Sequence, residues 1–162
     1  MTPKLILAAL LAIFPHMSHG NRQCIIDHQP RLEVQLQEVS QPIEPGAPVP
    51  PTEVTATVAF LETHLGCDHG EGGNWGAPID RNHRHTAGTH MDAVTSLVHG
   101  YQECGTWEGA VFRFRTGVCN PAQGAPQTGV IGTDYLHRFR SLLNRMYHYR
   151  DTHPEVPALG TE

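Results

Sequence analysis

The sequence predicts an α+β protein: a small antiparallel sheet with about three helices, stapled by two disulfides. Three observations predict it. Apolar and polar residues alternate over 31–39 and again over 107–116, which is the period of a half-buried strand. Apolar residues recur at helical spacing over 52–65, 89–100 and 133–150. Cys24, Cys67, Cys104 and Cys119 make an even set in a chain that opens like an exported one.

At the start, Lys4 precedes an apolar run from Leu5 to Phe14, and Ser18 and Gly20 are small residues spaced for a signal peptidase. Residues 1–20 therefore read as a signal peptide. Ten apolar residues fall well short of the ~20 that cross a bilayer, and no later run is longer. The remaining 142 residues suffice for one domain, 21–150, followed by a flexible tail at 151–162. Cleavage also removes Lys4, the only lysine, leaving ten arginines against sixteen acids, a charge of −6 with neutral histidines. That balance argues against nucleic acid or an anionic membrane as partner. The expected molecule is an extracellular monomer. Its lack of lysine fits an arginine-favouring codon usage, and also avoidance of ubiquitin attachment by a protein that enters another cell.

From Arg31 to Val39, Leu32, Val34 and Leu36 alternate with Glu33, Gln35 and Gln37, which predicts an antiparallel strand. Residues 41–51 hold five prolines in eleven positions, a stiff internal linker. Val54, Val58, Leu61 and Leu65 then share a helical face, with Thr52 to cap it and Gly66 to end it. V-T-A-T-V-A-F within it is also β-branched and alternating, which suits a strand, and the fourteen-residue extent of the apolar pattern favours the helix. The six glycines of 66–89 predict a long loop carrying Cys67, His69, Trp75, His83 and His85. Thr89 with Asp92 resembles a capping pair for a helix whose face is Met91, Val94, Leu97 and Val98 and which Gly100 closes.

The stretch Cys104–Cys119 reads as the central strand, with Phe112 and Phe114 toward the core and Trp107, Arg113 and Arg115 on the other side. A turn-rich loop from Asn120 to Gly129 follows, then a short strand at Val130 and Ile131. The last helix begins at Thr133, with Leu136, Phe139, Leu142, Leu143 and Met146 as its stripe. Of the three possible disulfide pairings, Cys24–Cys67 with Cys104–Cys119 is favoured, because the second pair flanks one hairpin-sized segment.

Three kinds of chemistry are open. His83 and His85 share a side of an extended segment, with His64, His69 and His90 around them, and converging imidazoles bind zinc or copper. Metal-free RNA hydrolysis needs a base, an acid and a phosphate-holding cation, which Glu108, His99 or His137, and Arg113 with Arg115 supply in kind. Glu108, however, falls on the strand face opposite both arginines, and the net charge is wrong for a polyanion. The third is a binding surface of Trp107, Arg113 and Arg115 with Arg138 and Arg145 of the last helix, residue types enriched in interface hot spots. A Cys104–Cys119 bridge would make that surface rigid before binding. No nucleophile elbow is present. Binding of a host or competitor protein, with no cofactor, is the reading carried forward, and zinc or copper binding is the alternative.

The segment G-V-C-N-P, the glycine-rich loop after it and I-G-T-D-Y-L-H-R-F-R-S-L-L resemble small secreted cysteine-containing proteins of filamentous fungi, the killer-toxin-like and necrosis-effector-like groups. The likeness spans roughly residues 91 to 146. It implies an extracellular virulence or antagonism factor, usually non-enzymatic, that binds a target from another organism.

Overall fold

The computed structural model describes residues 1–69, 73 and 89–154. Among these, every regular element is a helix: α1 Pro3–Ile13, α2 His19–Asp27, α3 Gln29–Glu38, α4 Thr52–Thr63, α5 His90–Cys104, α6 Trp107–Thr116 and α7 Pro126–Thr152, with two short 3-10 turns. The expected sheet is not there, so the α+β assignment is overturned. The three expected helices are present as α4, α5 and α7.

α4 explains the architecture. Val54, Thr55, Ala56, Thr57, Val58, Ala59 and Phe60 are consecutive and all buried, a helix enclosed on every side rather than lying at the surface. The Thr57 hydroxyl donates back to the Glu53 carbonyl at 2.6 Å, which satisfies it inside the helix. α1, α3, α5 and α7 all pack on α4. One apolar cluster joins α1, α3 and the end of α7 through Leu7, Leu10, Leu32, Leu36, Phe60, Leu142 and Met146. A second joins α5, α6 and the middle of α7 through Val58, Leu97, Val111, Tyr135 and Phe139. The proline-rich connector carries the chain from α3 to α4, and hydroxyls of Ser40 and Thr52 hydrogen-bond across its two ends.

The strand expected over 31–39 is α3. Leu32 and Leu36 lie four apart, a spacing that alternation and one helical face share. Both are buried, and so is Gln35, while Val34 is 53% exposed. Pro30 occupies the first turn, where its missing N–H costs nothing. The central strand is α6. Its Trp107, Ala110, Val111 and Phe114 follow the i, i+3, i+4, i+7 rule, whereas alternation divides them between two faces. Capping decides the matter: the Thr106 hydroxyl accepts the Gly109 N–H at 2.9 Å, and Gly117 ends the helix in the left-handed region at φ 87°. The expected strand at Val130 and Ile131 lies inside α7, which begins at Pro126 and not at Thr133.

α5 starts as read, with Thr89 and Asp92 forming a capping box. It does not close at Gly100. That glycine faces α6 so tightly that a Cβ would lie 3.0 Å from the Ala110 Cα. The chain turns instead at Gly105. α6 then lies against α7, where the Phe112 ring sits over Gly132.

Both favoured disulfides are formed, Cys24–Cys67 and Cys104–Cys119. The first ties α2 to the corner after α4, where His64, Leu65 and Gly66 all take positive φ, at 50°, 58° and 84°. Two non-glycine residues there cost roughly 1–3 kcal/mol each. Burial of Leu65, the His64–Asp68 contact at 2.9 Å and the neighbouring disulfide hold them in place. The leader-like segment forms α1, with Ile6, Leu7 and Leu10 fully buried. No helix among the described residues is long and apolar enough to cross a membrane.

A Cβ on Gly132 would lie 2.4 Å from ring atoms of Phe112. Gly132→Ala is therefore expected to destabilise the fold by about 1–3 kcal/mol through overpacking. Exposed Val130→Ala on the same helix should stay within about 0.5 kcal/mol. Urea denaturation of the two variants checks this.

Candidate recognition surface

The expected surface was a strand face, and its members are redistributed once the segment is a helix. On α6, Trp107 and Arg113 are about 120° apart around the axis. Trp107 is partly buried between α5 and α6, its ring 4.2 Å from that of Tyr101. Arg113 lies in an ion pair, its Nε 2.8 Å from Glu103 Oε2, although the N–H does not point along that line as a hydrogen bond. Neither residue is presented for recognition.

Arg115 and Arg138 are placed differently. Both are exposed, and no ion pair holds either of them among the described residues. Arg138 lies over the Tyr135 ring at 5.5 Å. Tyr135 is buried with its hydroxyl donating to Glu62 at 2.9 Å. Burial, then the charge and hydrogen bond of Glu62, push the phenol far above its ordinary range, and Arg138 and Arg115 both pull it back. Arg115 of α6 and Arg138 of α7 thus act electrostatically on the same hydroxyl.

Along α7, Ile131, Arg138 and Arg145 are seven residues apart, so they drift by only about 20° per step and form one stripe roughly 21 Å long. Ile131 is 44% exposed. Arg145 lies over the Phe14 ring at 5.3 Å and donates to the Ile13 carbonyl at 3.0 Å. Two of the five expected surface residues, Arg138 and Arg145, share the stripe, and Arg115 is exposed on α6. Ile131 is the residue that sequence reasoning missed, because it was assigned to a strand. The heptad spacing of 131, 138 and 145 was the signal that could have found it.

Glu108 faces Arg140 in a two-pronged pair at 2.7 and 2.6 Å. Those hydrogen bonds hold its carboxyl below the ordinary range. Both oxygens are engaged, which does not suit a general base.

The histidines are spread out. His64 at the end of α4 pairs with Asp68, and His90 at the start of α5 has its Nε2 2.6 Å from Glu38. The His69 side chain, His83, His85 and Trp75 lie outside the described residues. Among the described residues, no three His, Cys, Asp or Glu side chains converge as a metal would require.

The surface is rigid at its α6 edge. Cys104 ends α5 and Cys119 follows α6, so their bridge closes α6 into a loop of fifteen residues. By the chain-entropy estimate such a loop is worth ~3 kcal/mol. No protein-family model, curated protein or solved structure matches the chain.

A raised phenol pKa stabilises the fold fully below the ordinary value of 10.0, and that contribution is lost as the pH rises toward the folded value. Tyr135→Phe is expected to cost about 1 kcal/mol at pH 7 through the lost hydrogen bond to Glu62. It should also lessen the decline of stability above about pH 10. Denaturation midpoints of both proteins at pH 7 and above pH 10 check the sign.

Proposed function

We propose that the chain is a secreted, disulfide-stapled helical protein that works by binding another protein. Its recognition surface is the Ile131–Arg138–Arg145 stripe of α7 with Arg115 beside it. The observation that carries this reading is the pairing state of the arginines. Arg113, Arg140 and Arg150 each sit against a carboxylate of their own chain. Arg115 and Arg138 present exposed guanidinium groups next to an exposed isoleucine on a packed helix. Exposed cations beside apolar surface on a rigid support suit an interface in which arginine anchors dominate.

Two disulfides are compatible with an extracellular protein. Secretion itself rests on the leader-like composition of residues 1–20. A target from another organism is what the resemblance to fungal effectors adds. The target presents acidic side chains around an apolar contact, the complement of this stripe.

The test is affinity capture from host or competitor extracellular fluid, quantified for each variant by mass spectrometry. Arg115→Glu with Arg138→Glu should weaken capture of the partner at least about ten-fold, roughly 1.4 kcal/mol, with circular dichroism unchanged. Arg113→Ala, whose guanidinium is tied to Glu103, should stay within about two-fold. Equal loss in both variants, or in neither, would remove this surface from consideration.

A further inference from the structure

Removal of residues 1–20 would take away the whole of α1. In the structure that helix fills a groove whose walls are Leu32 and Leu36 of α3, Ala56 and Phe60 of α4, and Leu142 and Met146 of α7, all buried. Polar groups meet α1 at its two ends, and their polarity is ordered. At the amino end of α1 the Glu53 carboxylate accepts from the Met1 amine at 3.0 Å and from the Tyr147 hydroxyl at 3.0 Å. At the carboxyl end, Arg22 donates to the Leu11 carbonyl at 2.8 Å and Arg145 to the Ile13 carbonyl at 3.0 Å.

An acid at the amino end and cations on the last carbonyls are what a helix dipole and its unpaired terminal groups require. The groove therefore matches a helix in one direction. A fatty acid has a single charged end, itself an acid, and offers no donor in place of the Met1 amine at Glu53. A second exported copy lacks its own residues 1–20, and the apolar faces of its α3 and α7 are already spent in its core. Beyond Ile13 the groove runs into an open cleft of about 520 Å³ at Arg145, His148 and Tyr149, so it is accessible from one end.

We infer that in the exported chain the groove filled here by α1 is a docking site for an apolar helix of a partner protein. This rests on the reading that residues 1–20 are removed. The incoming helix carries apolar side chains at i, i+1, i+4 and i+5, the places of Ile6, Leu7, Leu10 and Leu11, with small residues between them where Ala8 and Ala9 lie against the walls. Its carboxyl end faces Arg22 and Arg145. One end of the docking site thereby meets the exposed stripe of α7, so one partner can engage both.

The full chain is expressed through a secretory route, and intact mass reports its amino terminus. The exported product is then titrated with a fluorescent synthetic peptide of residues 2–14 carrying a soluble amino-terminal tag. Saturable one-to-one binding is expected, with a gain of helical circular dichroism. Arg22→Glu with Arg145→Glu should weaken it ten-fold or more, while the far-ultraviolet spectrum of the free product is unchanged. An exported product that still carries residues 1–20 overturns the leader reading and this inference together. A product starting at residue 21 overturns the inference alone, leaving secretion standing, if it is unfolded, closes the groove as a homodimer, or takes up palmitate but not the peptide.

Discussion

Nearly all of α4 is out of water, and that one requirement shapes the rest of the molecule. A helix of twelve residues with so little exposed surface cannot sit on the outside of anything. It needs neighbours on every side, and α1, α3, α5 and α7 supply them. Gly100 lets α6 reach α5 almost backbone to backbone, and Gly132 of α7 makes room for the Phe112 ring of α6. The two apolar clusters are the two sides of this single burial.

The staples sit where packing alone is weakest. The corner after α4 holds two non-glycine residues in the left-handed region, a conformation that survives only when its surroundings fix it. Cys24–Cys67 and the buried Leu65 do so. The second bridge closes α6, a ten-residue helix too short to be stable by itself. The arginines divide by whether a carboxylate lies within reach. Arg113 and Arg140 tie α6 to α5 and α7, and Arg150 pairs with its neighbour Asp151, whereas Arg115 and Arg138 are exposed with no ion pair among the described residues.

The expectation of a sheet failed for a definite reason. Over nine or ten residues, apolar positions at i and i+4 satisfy both a period of two and a period of 3.6, so Leu32 and Leu36, or Val111 with its neighbours, fit either geometry. The features that separate the two are caps: Thr106 before Trp107, Gly117 after Thr116, and Pro30 and Pro126 in first turns. The sequence reading places Pro126 in a turn-rich loop and Thr106 and Gly117 within the central stretch, so none of them counts there as a cap. The run from Val54 to Phe60 carries the same ambiguity, being β-branched and alternating, and the length of the pattern from Thr52 decides for the helix that is observed as far as Thr63. The stripe from Leu136 to Met146 is longer than alternation imitates, and it lies in α7. The recognition surface was half legible for the same reason. Arg138 and Arg145 lie on a helix that was recognised, while Trp107 and Arg113 belonged to a face that exists only in an extended chain.

The sequence by itself determined the local facts: the capping box at Thr89, the apolar stripe of α7 and an even set of cysteines with three possible pairings. Those depend on interactions within a few residues, or on the small number of ways four sulfurs can combine. Tertiary structure alone decided which arginines would meet a carboxylate, that Phe112 would need a glycine opposite it, and that the apolar run at the amino terminus has a groove shaped to hold it. Each of these depends on residues far apart in the chain arriving within a few ångströms, and distance along a sequence carries no information about that until the helices have packed.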